Sequence, residues 1–528
     1  MRTINRLIPV LLVLVLLLNA CQAAVQTGSP AASPTSLPTP NIVVDQAPDV
    51  EAAAKAYLDA WKAEDYTSMY AMLSKLTRDA MTPEAFNKTH KDAAVSLTMQ
   101  SMDYTILSSM VNPGSAQVSY QITYTTTLLN KISRSTLMNL TLEDHVWHVQ
   151  WEAGMLLPEL EGGNHLELVL EVPARGNIYS SSGYPMAAQD DAVAIGLIPG
   201  EINADNEDDM VALLSRLTGL TDEQIRKKYE YAQSDWYVPI ADLAASEAEK
   251  NADALARYPA IQLSPFRSRY YYDGGLAPHV LGYVLSIPAE ELEAYQRNGY
   301  RGDEKVGYTG LEAWGEKYLA GTHGAMLYVK DAQGQIVTRI GSTEAEPAAS
   351  IYTTIDSALQ YDLQHSMGDY LGAIVVMERD TGRIISMVSN PGFDPNLFEP
   401  TNINAMELNS VLQDAQLPLY NRASQGVYPL GSVFKIITMA AALETGVFTP
   451  DYPYYCDTVW TELDGFTKLY DWTYEKDLGP SGLLTLKQGL MRSCNPWFWH
   501  IGLTLWEDGY ESAITDVARG FGLGKLTG

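Results

Sequence analysis

The spacing of hydrophobic positions changes several times along the chain. After Arg2 and Arg6, an apolar run occupies 7–18, shorter than the roughly 20 residues a helix needs to cross a bilayer, so it reads as the core of a signal peptide. Ten of the fifteen residues at 26–40 are Pro, Ser or Thr, too few apolar groups to fold, and this stretch reads as an extended tether. Across 49–73, Ala53, Ala56, Tyr57, Ala60, Trp61 and Met69 recur near the spacing of an amphipathic helix. The period then falls to two: Val118, Tyr120, Ile122 and Tyr124 alternate with polar residues, and Val146, Trp147 and Val149 do so more loosely. That pattern predicts a curved antiparallel sheet with one dry face, giving a small α+β domain over 46–158.

Further on, Thr353-Thr354-Ile355-Asp356, the alternating segment 372–377 and the segment 382–388 predict strands, the last two joined at Asp380-Thr381-Gly382. Tyr428-Pro429-Leu430-Gly431 is a helix-start signal, and 432–444 predicts an apolar helix closed by Gly446. Ser432 and Lys435 stand at i and i+3 on that helix and so share one face. A serine hydroxyl becomes a nucleophile when a base takes its proton, and a lysine can serve once its pKa is depressed. Phe434, Ile436 and Ile437 predict that the helix runs through a domain interior, which supplies the burial. A second helical stretch at 484–492 leads into Ser493-Cys494-Asn495.

Composition narrows the options. A chain of 528 residues holds roughly three or four domains. Its net charge of −29 excludes nucleic acid as the main partner, since phosphate binding needs a basic surface. Three cysteines (Cys21, Cys456, Cys494) and eight scattered histidines offer no ligand set, so neither a metal nor another cofactor is expected.

Several segments resemble known families. Leu18-Asn19-Ala20-Cys21 resembles the lipobox of bacterial lipoproteins, which implies that Cys21 carries a lipid anchor at the extracytoplasmic face of the cell membrane, with 1–21 as signal peptide and 22–45 as linker. The α+β domain at 46–158 resembles the cone-shaped nuclear-transport-factor-like domain of methicillin-resistance-type transpeptidases, where a spacer role is expected. Arg175-Gly176-Asn177-Ile178, then Arg269 to Tyr271, Ala277 to Val284, Gly307 to Glu312 and Leu319 to Thr322, resemble in order the elongated pedestal, or dimerisation, domain of class B penicillin-binding proteins, placed here at 165–330. His279 and Glu312 are expected to be structural hydrogen-bonding residues there.

The approach Asn421 to Pro429, the Ser-x-x-Lys of Ser432 and Lys435, and the Ser-x-Asn of Ser493 and Asn495 resemble the same family's transpeptidase domain, placed at 350–528. The chain is thus identified as multidomain α+β, its last domain an antiparallel sheet with helices of the serine β-lactamase type. The resemblance implies a D,D-transpeptidase acting on peptidoglycan stem peptides and acylated by β-lactams, with divisome or elongasome proteins as further partners. Ser432 would be the nucleophile, Lys435 the general base, Ser493 the proton relay and Asn495 the ligand of the substrate amide. Cys494 is expected to be a buried apolar side chain, with a Cys456–Cys494 disulfide the alternative. The family's Lys-[Ser/Thr]-Gly motif does not precede Gly528, so the last domain is expected to be truncated and the 528-residue form weakly active. A serine β-lactamase, a β-lactam sensor and an inactive cell-wall scaffold are the rival readings.

Overall fold

The computed structural model describes residues 48–526. They form two compact units, one built from 48–83, 106–120 and 137–151, the other from 84–105, 121–136 and 152 onward. The first carries helices Val50–Lys62, Tyr66–Ala71 and Lys75–Ala80. The helix predicted across 49–73 is therefore two. Asp49 and Asp65 cap them by accepting from backbone N–H groups of the first turn, the usual way the orphan donors of a helix start are satisfied. Trp147 and Val149 are buried as expected, but Val146 is exposed. The strand Ser115–Thr126 buries every second side chain, Val118, Tyr120, Ile122 and Tyr124 among them, because side chains of a strand alternate between faces.

Within the second unit, His165–Glu171, Gly324–Lys330 and Ile336–Thr343 form an antiparallel sheet with Gly324–Lys330 at its centre. A larger sheet is organised on the long strand Pro185–Leu197, which pairs with Val238–Ala244 and Ile261–Tyr271. Helices Glu207–Thr218 and Asp222–Tyr229 cover it, burying Met210, Val211, Leu214 and Ile225 against Ile195, Leu197 and Ile240. Two glycines are dictated by close approach. A Cβ at Gly282 would lie 1.9 Å from the carbonyl oxygen of Thr309, and one at Gly310 would lie 2.5 Å from the nitrogen of Gly282.

Glu312 is fully buried and sits between two arginines. Arg269 Nε reaches its Oε1 at 2.7 Å and Arg175 Nη2 its Oε2 at 2.7 Å, while the Tyr271 hydroxyl also donates to Oε1. Arg175 makes a second bridge to Glu316, and Arg269 Nη1 donates to the carbonyl of Gly176. Glu312 thus holds three sequence-distant segments in register. His279 bonds to the carbonyl of Pro418 at 2.6 Å.

The last segment begins with helix Ser357–Ser366 and the antiparallel pair Gly372–Met377 and Ile384–Asn390. The strand predicted at Thr353 is only Ile351–Tyr352, which pairs in parallel with Ile178–Tyr179. A cluster of Ala441, Ala442, Phe448, Leu486, Trp497, Phe498 and Ile501 forms the local core. The loop 393–407 is fastened to the preceding sheets by polar bonds. Asn396 exchanges two bonds with the backbone of Tyr271, and Asn402 and Asn404 both donate to the buried Asp242. Burial and the neighbouring Asp394 push the Asp242 carboxyl up to about 8.

Glu312→Ala removes the buried carboxylate that Arg175 and Arg269 share and leaves Arg175 only its bridge to Glu316, and a loss of about 3–5 kcal/mol is expected. The measurement is the chemical-denaturation midpoint, and a variant with the wild-type midpoint would show that the network carries no stability.

Candidate active site

The site is assembled from two helix starts that meet. Ahead of the first, Asn421 Oδ1 accepts from the N–H groups of Ala423 and Ser424, and Arg422 N–H donates to Ser389 Oγ on the hairpin. The chain then enters a 3-10 turn, Gly431–Phe434, and the helix Lys435–Glu444 follows. The predicted single helix thus opens with a tighter turn, and Ser432 lies in it rather than in the α-helix. Its surroundings also differ from expectation. Ile437 is buried, but Val433 is 67% and Ile436 48% exposed, so the helix does not run through an interior along its whole circumference.

The second start is prepared by Leu486–Met491, shorter than the predicted helix because Leu484 belongs to strand Gly482–Thr485. Thr485 and Gln488 form a reciprocal capping box. Gly489 lets Trp497 pack close, since a Cβ there would lie 2.2 Å from the indole ring. Ser493 turns into the left-handed region (φ 52°), and helix Asn495–Glu507 begins directly after Cys494. For a serine this conformation costs about 1 kcal/mol or more.

Those two starts bring Ser432, Lys435, Ser493 and Asn495 together. Lys435 Nζ donates to Ser493 O at 2.7 Å, Ser493 Oγ at 3.1 Å and Asn495 Oδ1 at 2.5 Å. Ser493 Oγ in turn donates to Ser432 Oγ at 2.8 Å. The lysine therefore connects to the candidate nucleophile through the second serine. Burial lowers the Lys435 pKa from the ordinary lysine value, and the Asp471 carboxylate opposes that shift. The ammonium also lies 5.5 Å from the centre of the Phe498 ring. A hydroxyl chain ending at an amine of depressed pKa can withdraw a proton from Ser432 and return it to a leaving group.

Cys494 is buried, but it is not a free apolar side chain. It forms a disulfide with Cys456, which corrects the expected role and realises the alternative pairing. Spacing along the chain could not reveal this, because strand Pro453–Cys456 reaches Cys494 only through its pairing with Gly482–Thr485. Two further residues at the site escaped the sequence reading. Asp471 accepts from the N–H of Asn495, and Thr473 donates to the same carboxylate. Cys21 lies outside the described residues. Among the described residues, no group of three or more His, Cys, Asp or Glu could hold a metal ion, and no helix is long and apolar enough to cross a membrane.

Three family models match the chain in succession: an NTF2-like N-terminal transpeptidase domain at 49–164, a penicillin-binding protein dimerisation domain at 170–353, and a penicillin-binding protein transpeptidase domain at 372–528. Together they define a penicillin-binding protein of three domains. The chain belongs to the class B penicillin-binding proteins. It is 29% identical over 374 residues to the peptidoglycan D,D-transpeptidase MrdA of Escherichia coli K12, covering 69% of this chain and 57% of that protein. Penicillin-binding protein 3 of Bacillus subtilis is 25% identical over 409 residues, covering 75% and 60%. The chain thus spans a little under two thirds of the length of these relatives. A solved complex of penicillin-binding protein PBP2 and MreC from Helicobacter pylori is similar at TM-score 0.47 and 21% identity, covering 69% of this chain and 66% of that one.

The disulfide closes a loop of 38 residues. Replacing both Cys456 and Cys494 by serine is expected to cost about 4 kcal/mol on the loop-entropy account. Denaturation of the double variant beside the unreduced protein measures it, and coincident curves would remove the disulfide from the stability of this region.

Proposed function

We propose that this chain is a serine D,D-transpeptidase that cross-links peptidoglycan stem peptides and is acylated by β-lactams at Ser432. The observation that carries the reading is the unbroken hydrogen-bond path from Lys435 through Ser493 to Ser432. In the reaction, neutral Lys435 takes the Ser432 hydroxyl proton by way of Ser493 Oγ while Ser432 Oγ attacks the carbonyl of the penultimate D-alanine. The C–N bond breaks, the proton passes to the departing D-alanine amine, and an ester on Ser432 remains. An acceptor amine then attacks that ester and gives its proton to the same path, which returns it to Ser432 Oγ as the new amide forms. Asn495 holds the donor peptide through its side-chain amide, and the Ser432 N–H faces the oxyanion. A β-lactam enters the same first step, but its opened ring keeps the amine attached to the acyl group.

Because the neutral amine is the base, acylation is expected to rise with pH, with a midpoint below the ordinary lysine value of 10.5. Fluorescent penicillin should label Ser432 in a form of the protein that carries the Lys-[Ser/Thr]-Gly motif, and Ser432→Ala should abolish the label. Lys435→Ala should slow acylation by several orders of magnitude and Asn495→Ala by less, since the base and oxyanion contributions remain. Peptide mapping by mass spectrometry decides between outcomes. An adduct on another serine overturns the assignment, and rapid turnover of the adduct to hydrolysed drug favours a β-lactamase.

We further propose that the chain is held at the extracytoplasmic face of the membrane through a lipid on Cys21, on the ground of Leu18-Asn19-Ala20-Cys21. Cys21→Ala should abolish palmitate incorporation in the native host, and label retained by the variant refutes the anchor.

A further inference from the structure

The segment Ser493-Cys494-Asn495 is pinned at each residue by a different element. Ser493 is held by Lys435 and Ser432, and Cys494 by Cys456. The pin on Asn495 is Asp471, which precedes the short helix Trp472–Glu475 and is fully buried. Its Oδ1 accepts from the Asn495 N–H at 2.8 Å, and its Oδ2 accepts from Thr473 Oγ1 at 2.7 Å and from Thr473 N–H. The Asp471 backbone is itself tied, its N–H donating to the carbonyl of Thr458.

A buried carboxylate with so few donors is costly unless something compensates it. Here two features do. The Asn495 N–H belongs to the first turn of helix Asn495–Glu507, thirteen residues long, so the carboxylate meets the positive end of the helix. The second is Lys435, whose Nζ reaches the Oδ1 of the same Asn495. Asn495 is thus gripped from both ends, its backbone by an anion and its side chain by a cation.

We infer that Asp471 is a positioning residue for the second motif, fixing the backbone of Asn495 so that its side-chain oxygen meets Lys435 and leaves Ser493 aligned on Ser432. The inference rests on the acyl-transfer reading of the site. It assigns Asp471 no contact with substrate. Its negative charge has a second effect, because it favours the ammonium form of Lys435 while burial disfavours it. The other groups that bond or face the Lys435 nitrogen, namely Ser493, Asn495 and the Phe498 ring, are neutral. Position and charge therefore make separable contributions.

The test, made in a form that carries the Lys-[Ser/Thr]-Gly motif, compares the unmodified protein with Asp471→Asn and Thr473→Val, following the Lys435 titration by NMR with 13C-labelled lysine and acylation by fluorescent penicillin across pH. Asp471→Asn keeps an acceptor for the Asn495 N–H but removes the charge. It should move the Lys435 midpoint to lower pH by about half a unit or more, carry the acid limb of the acylation profile with it, and lower the plateau rate roughly tenfold. Thr473→Val keeps the charge and removes one of its donors. It should slow acylation severalfold and leave the Lys435 midpoint in place. A residue that only maintains the fold would lower thermal stability and move neither the midpoint nor the acid limb, and that result in Asp471→Asn overturns the inference. If Asp471→Asn does not fold, an unchanged acylation rate in Thr473→Val overturns it. The NMR titration is independent of acylation. A wild-type protein that takes no label at Ser432 therefore refutes the transpeptidase reading, while the Lys435 midpoints still decide whether Asp471 acts on that amine.

Discussion

An amine half withdrawn from water must find acceptors, and at Lys435 that requirement organises everything around it. Its three partners all belong to Ser493 or Asn495, some sixty residues further along the chain. A long side chain loses roughly 2 kcal/mol of rotamer freedom when it is fixed, so such an arrangement persists only if the acceptors are held in place without it. The surrounding structure does this with several independent devices. The Cys456–Cys494 disulfide, the Asp471 carboxylate and the close contact of Gly489 with Trp497 all act within a few residues of the motif. The left-handed Ser493 is tolerable for the same reason, because neighbours on both sides over-determine it.

What the sequence made legible was the part ruled by local geometry. Ser432 and Lys435 share a face because three residues is nearly one helical turn, and the 3-10 geometry of the first turn preserves that relation. Val118, Tyr120, Ile122 and Tyr124 point one way because strands alternate. The pairing of Cys456 with Cys494 was legible only as an alternative, and the role of Asp471 not at all, for the opposite reason. Both depend on which strand lies beside which, and no periodicity encodes that. The exposure of Val433 and Ile436 is a related miss: an apolar run specifies a helix, but neighbours decide how much of it is covered.

The middle segment uses charge where a hydrophobic core would serve stability as well. Replacing a buried ion pair by apolar residues of similar volume is often neutral or stabilising, so the Arg175–Glu312–Arg269 cluster is better understood by what it specifies. A carboxylate that must satisfy two guanidinium forks in fixed directions permits one relative placement of the segments carrying them. Gly282 and Gly310 say the same in steric terms, since their backbones meet at a distance that excludes a side chain.

The same logic extends to the joint between the middle segment and the last one. Apolar side chains do meet there, with Phe398 stacked on Tyr283 and Phe393 edge-on to it, and such contacts supply adhesion with little directional preference. Direction comes from Asn396, which donates to and accepts from the backbone of Tyr271 as a neighbouring strand would, and from Asn402 and Asn404 on Asp242. These amides follow the hairpin strand Ile384–Asn390, and Ser389 at the end of that strand accepts from Arg422 on the approach to Ser432. Tyr271, the residue Asn396 grips, also donates its hydroxyl to Glu312. Directional bonds therefore tie Glu312 to Tyr271 and Tyr271 to Asn396, and a separate one ties Ser389 to Arg422, with the backbone of 389–396 joining the two sets, so the approach to Ser432 is anchored on the same hairpin that the middle segment holds.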